Sequence, residues 1–312
     1  MPILQNKKAL FWIAVGAFVL MTQGLNAQSL DIPSRRWGVS FGNSKEFTGL
    51  RFNFRDSQVR RVTGINITLW TPRKDNTEAV VSGLSLGLIP GGAQMKGIHI
   101  GLLGAGATAN MTGVNLGLLG VGAGENLTGI NIGGLGAGAG KNITGLNIGF
   151  FGAGAGEDVT GINIGGLGAG AGKNMSGINI GGLGVGAGER LTGINIGGIG
   201  AGAGQRLVGL TIAGLGAGAP EVQGITVAGL GVGGKSIKGL FLALGMVRVD
   251  DDGQLIGLAV SAVNYIKGTQ KGVSIGIVNY AWRLKGVQIG LINIIRYNPS
   301  IAKVLPIINV SF

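Results

Sequence analysis

The chain has 312 residues, a formal net charge of +12, 66 glycines, seven prolines and no cysteine. Lack of cysteine excludes disulfides, thiolate metal sites, thiol catalysis and a lipidated cysteine anchor. The glycines do not follow the every-third spacing of collagen, and the large apolar residues recurring between them argue for an ordered chain rather than a disordered one.

Lys7 and Lys8 precede the apolar run 9–21, thirteen residues long. That length suits a signal-peptide core and falls short of a bilayer span, although an uncleaved anchor is the alternative. Leu25-Asn26-Ala27 follows, so residues 1–27 are read as a signal peptide cleaved after Ala27, and the mature chain as an exported protein. Loss of the two lysines lowers +12 to +10. Residues 28–96 carry larger apolar segments at 37–41, 49–54 and 63–70, which predict an N-terminal β cap or first strands.

Residues 97–223 form a regular array. Glycine recurs at Gly97, Gly113, Gly129, Gly145, Gly161, Gly177, Gly193 and Gly209, always sixteen residues apart. In the unit that begins at Gly129, Ile130 and Ile132 alternate with Asn131, and Leu135, Ala137 and Ala139 alternate with Gly136 and Gly138. Period two means strand. The doubled Gly133-Gly134 breaks the parity, which predicts that Ile130, Ile132, Leu135, Ala137 and Ala139 share one apolar side while Asn131 is displayed opposite. Gly140-Lys141-Asn142 supplies the turn.

One unit cannot fold alone. Its few large apolar residues contribute about 1.5 to 3 kcal/mol each, against about 1 to 2 kcal/mol for ordering each of sixteen backbones. Stacking is required, and the expected fold is all-β, a β-solenoid of sixteen-residue glycine-rich units. Equivalent residues would then stack, and Asn115, Asn131, Asn147, Asn163, Asn179 and Asn195 would form an amide ladder continued by Thr211 and Thr226. The alternative is an antiparallel transmembrane β-barrel with one strand per unit. It is disfavoured because the central units offer glycine and alanine where a lipid face needs bulky residues and aromatic girdles.

Residues 224–312 continue as irregular repeats from Gly224, Gly239, Gly257, Gly272 and Gly286 to a C-terminal strand ending at Phe312. That ending resembles the last strand of bacterial outer-membrane barrels, which makes Phe312 a candidate assembly signal. The segments Lys271-Gly272-Val273-Ser274-Ile275-Gly276-Ile277-Val278-Asn279-Tyr280 and Lys285-Gly286-Val287-Gln288-Ile289-Gly290-Leu291-Ile292-Asn293 resemble exported bacterial surface-repeat proteins of the "GVQIGLIN" type. The resemblance implies an envelope location, at the outer membrane or cell surface of a diderm bacterium or in its periplasm, and no established activity.

Candidate chemistry is sparse. Gly229-Leu230-Gly231-Val232-Gly233-Gly234-Lys235-Ser236 matches the letters of a phosphate loop but aligns with an ordinary repeat, and no helix is expected after it. His99, the single histidine, occupies the slot filled later by Asn115 and Asn131. Asp250-Asp251-Asp252 reads as an acidic turn, since its oxygens are adjacent rather than spaced around a loop. No catalytic, cofactor-binding or metal-binding residue is assigned. The array is neutral, with Lys141, Lys173, Arg190 and Arg206 balancing Glu125, Glu157, Asp158 and Glu189, and no dense basic run is interleaved with aromatics, so nucleic acid is not an expected partner. The expectation is a non-enzymatic envelope protein with a structural or surface-binding role; a barrel with a pore or assembly role is the alternative. Expected partners are envelope polysaccharide, outer-membrane lipid, or further copies joined edge to edge.

Overall fold

The computed structural model describes residues 29–311; the segment 1–27 expected to be a signal peptide, its expected cleavage after Ala27, and the candidate assembly signal Phe312 lie outside the described residues. The chain is a β-solenoid of about 15 turns. Each central unit makes one turn from two strands, such as the eight-residue Asn126–Gly133 and the four-residue Gly136–Ala139. Equivalent strands of successive turns pair in parallel: Asn131 lies between Asn115 and Asn147, and Ala137 between Val121 and Ala153. The barrel is therefore excluded, because a meander would pair consecutive strands antiparallel. Antiparallel pairing is confined to the two ends, where Ser29–Pro33 reverses onto Trp37–Gly42 and Val304–Ser311 reverses onto Val278–Ile295. Pro306 sits at a register shift in that last strand, where no ladder partner needs its missing N–H.

Three bends close a turn in sixteen residues. At Gly129 the backbone takes φ 114°, and a Cβ there would stand 2.0 Å from the Gly113 carbonyl oxygen. The same left-handed glycine recurs once per turn from Gly38 to Gly286 and splits each long strand into two arms. At the second bend a Cβ on Gly133 would meet the Gly136 oxygen at 1.8 Å. Gly140 makes the third, with the Gly124 oxygen 2.0 Å away from its Cβ site.

The tight second bend sets which side of each strand faces inward. Gly133 is buried where no side chain fits, so period-two alternation buries Asn131 and turns Ile130 and Ile132 outward. This corrects the expected single apolar side. Ile130, Ile132 and Leu135 are 42, 37 and 44 % exposed, while Asn131 is fully buried. The core is built instead from Leu127, Ile143, Val159, Met175 and Leu191 on the arm before the left-handed glycine, with Ala137, Ala153 and Ala169 from the short strands.

The glycine column runs without a break through the irregular ends, although the ladders shift register locally, as between Val249 and Gly253. Eleven residues separate Gly38 from Gly49 and nineteen separate Gly64 from Gly83, yet the pairs lie in one column with the central glycines. Insertions are absorbed at bends, for example the segment 71–79, and leave the ladders intact.

Candidate functional site

The asparagine ladder forms as the spacing predicts. Asn115 Nδ2 donates to Asn131 Oδ1 at 2.6 Å, Asn131 to Asn147 at 2.7 Å, Asn147 to Asn163 at 2.8 Å, Asn163 to Asn179 at 2.9 Å and Asn179 to Asn195 at 2.8 Å. All six side chains are fully buried, so the ladder is interior and offers nothing to a ligand at the surface. Thr211 and Thr226 continue the column. A head-to-tail amide stack leaves one acceptor and one donor over, and here they are Asn115 Oδ1 and Asn195 Nδ2.

His99 stands in the rung before Asn115, fully buried, with neither ring nitrogen hydrogen-bonded. Burial pushes its imidazole down to about 4, because the charged form has no partner there. Further along the same column toward the N-terminus lies Arg51, whose guanidinium meets Asp56 at 2.7 Å and Asn66 at 2.8 Å in the interior. This buried ion pair, and a second interior ladder in which Asn264 donates to Asn279 at 2.7 Å and Asn279 to Asn293 at 2.8 Å, were not anticipated from the sequence. The spacing of Asn264, Asn279 and Asn293 by fifteen and fourteen residues was the available signal.

At the third bend the side chains alternate in charge from turn to turn. Lys141 reaches Glu125 at 3.2 Å and Lys173 reaches Glu157 at 3.0 Å, all of them about half exposed. Glu157 holds the Lys173 ammonium above its ordinary range by hydrogen bond and charge. Beside them runs an external amide row, Asn142 to Asn126 at 2.9 Å and Asn126 to Asn110 at 2.8 Å.

The outer surface carries the most distinctive feature. The two positions flanking the buried column face outward on every regular turn, as Ile130 and Ile132, Leu146 and Ile148, Ile162 and Ile164. Leu135, Phe151 and Leu167 extend the row at the bend, and Phe150 is 67 % exposed. Between Leu50 and Ile289 the outward side chains of this arm are Leu, Ile, Val or Phe on every turn, and none is charged. Neighbouring rungs are about 4.8 Å apart by strand geometry, so the strip is about 70 Å long and about 13 Å wide. A patch of roughly 900 Å² exceeds the roughly 300 to 600 Å² of the largest apolar patch on an ordinary soluble monomer.

The remaining candidates take structural places. Gly231, Val232, Gly233, Gly234, Lys235 and Ser236 lie within the strand Gly231–Ala243, so no helix N-terminus follows the phosphate-loop letters. Asp250 and Asp251 pair with Arg248 at 3.2 Å and Lys267 at 3.0 Å. Among the described residues no group of three or more His, Cys, Asp or Glu side chains is gathered. Comparison with family models, with curated proteins and with solved structures gives no match.

Proposed function

We propose that this is a non-enzymatic structural protein of a bacterial cell envelope, a stiff rod that joins the envelope architecture through its uncharged apolar face. The observation that carries the reading is the unbroken outward strip of two columns, which holds Ile65, Ile130, Ile162 and Ile194 in one and Ile289 in the other, each of these close to 40 % exposed. Such an area in water is unfavourable by about 25 cal/mol per Å², so a partner that covers it is stabilised by shape and apolarity alone. The leader-like N-terminus and the resemblance to exported surface repeats support the location.

A second reading has its own observation. Thr112, Thr144, Thr160 and Thr192 are exposed in one hydroxyl column with Thr128 and Ser176, Thr160 and Ser176 lying 3.2 Å from each other, and this row suits an extended envelope polysaccharide. It replaces the asparagines, which are interior, as the polar display.

The test is fractionation of a diderm bacterium expressing the full chain with Ile130, Ile162 and Ile194 all changed to Thr, a residue that keeps strand propensity. The wild-type chain is expected in large envelope assemblies and the triple variant in small particles, with unchanged β content. Equal distribution of the two would sink the apolar-face reading.

A further inference from the structure

The partner of the apolar face follows from its shape and its charge, granted the reading that this face is where the rod is joined. We infer that the face is covered by a second copy of the same chain, two rods packed face to face through a two-fold axis. Pairing two strips of about 900 Å² removes about 1,800 Å² from water, which lies within the span of stable, specific interfaces. A self-complementary patch is what a two-fold contact requires.

Three observations favour a second copy over lipid. First, the outward residues recur at one rung per turn for the whole length, so only another parallel-β stack of the same rise offers side chains that interdigitate rung by rung. Second, the central turns are electrically neutral, and their lysines and arginines, Lys141, Lys173, Arg190 and Arg206, lie at the third bend, away from the strip. An interfacial lipid binder instead carries an excess of lysine and arginine on its polar face, which these neutral turns lack. Third, the strip carries no Trp or Tyr along its central turns, where Phe150 and Phe151 are the aromatic residues, so the anchors of a membrane interface are missing there. The strip itself sets no charge against charge at the contact, since the mature chain's excess of +10 lies outside the neutral central turns.

The contact uses the flat of the sheet and not its terminal edges, which differs from the edge-to-edge association expected from the sequence. Among the described residues each rod end finishes on one short antiparallel strand, Ser29–Pro33 and Val304–Ser311, and short edge strands discourage end-to-end pairing, whereas the apolar face is left open from end to end.

Sedimentation velocity of the purified mature chain tests this, alone and with vesicles of phosphatidylethanolamine and phosphatidylglycerol. The expected result is a dimer that dissociates on dilution, with its dissociation constant raised at least tenfold in the Ile130→Thr, Ile162→Thr, Ile194→Thr variant and unchanged in Thr128→Val, Thr144→Val, which alters another arm. A single milder substitution, Ile162→Thr, guards against loss of folding and is expected to weaken the dimer less, with the same β spectrum. A wild-type chain that stays monomeric overturns the pairing. If that monomer floats with vesicles, the face is a lipid surface and the docking reading stands without the second copy. If it neither pairs nor floats, and the triple variant still distributes like wild type in cells, both readings fall.

Discussion

An asparagine amide carries one donating and one accepting end, and a parallel stack can satisfy both only head to tail. Removing one member from the middle therefore orphans two neighbours. For Asn163→Ala these are Asn147 Nδ2 and Asn179 Oδ1, each left buried without its ladder partner. The expected cost is about 2 to 6 kcal/mol, from about 1 to 3 for each of the two unpaired groups, read as a lower urea midpoint at unchanged m-value. Extending the ladder has the opposite sign. In His99→Asn the new amide can donate to the free Asn115 Oδ1, which predicts a gain of about 1 kcal/mol. The same change alters the acid response. The unfolded imidazole titrates near 6.5 and the folded one at about 4, so between those values the unfolded chain holds the extra proton. Stability from this group is complete above pH 6.5 and falls on acidification toward pH 4, by up to about 3 kcal/mol at about 1.4 per pH unit. The difference in unfolding free energy between wild type and His99→Asn is accordingly expected to widen from about pH 7 to about pH 4.5, and a constant difference would show that His99 is not held neutral.

At the scale of the turn, glycines that look alike in sequence divide by geometry. Gly145 has φ 114° and a Cβ site 2.1 Å from the Gly129 oxygen, whereas a Cβ on Gly138 would come no nearer than 3.6 Å to the Gly154 oxygen. Gly145→Ala is expected to lose about 2 kcal/mol or more through backbone strain and clash. Gly138→Ala is expected to be neutral or slightly stabilising because it restricts the unfolded chain. Paired thermal melts check the contrast. The period, the strand character and the stacking of Asn115 to Asn195 were legible in the sequence, because with one coil per unit a constant sixteen-residue spacing sets equivalent residues one above another. Which side faced in was not legible. Alternation is unchanged by a one-residue slip, so Ile130 and Asn131 can exchange sides without altering the pattern. The deciding constraint was the lack of room at Gly133, set by a contact with Gly136 across the bend that the doubled Gly133-Gly134 marks without showing how tightly it closes. The continuation of the column through Gly38, Gly49, Gly64 and Gly83 was obscured for the opposite reason, since bends tolerate inserted residues while the paired arms do not.

For the whole molecule, a rod in which each turn touches only its neighbours should shorten by whole turns without losing its fold. Deleting 145–160 joins Thr144 to Gly161, brings Asn131 beneath Asn163 and preserves every column of the core, Ile143 now stacking on Met175. It also sets Lys141 against Lys173, with the intervening Glu157 gone. Deleting 145–176 removes both Glu157 and Lys173 and places Lys141 beside Glu189, so alternation of charge is restored although more protein is lost. Those side chains are about half exposed, and the pair effect is small and screened by salt. Both deletions are expected to keep the wild-type β spectrum, with the one-turn deletion gaining stability on addition of salt and the two-turn deletion not. A deletion of half a unit, 145–152, behaves differently because it joins Thr144 to Ala153. An alanine then stands where the bend requires the left-handed backbone of Gly145, and the residues from Ala153 to the next bend no longer match the columns above and below them. This shorter deletion is expected to unfold the protein where the longer ones do not, and circular dichroism of the three chains side by side decides it: a wild-type β spectrum in the half-unit deletion would mean that register is not what holds the rod together.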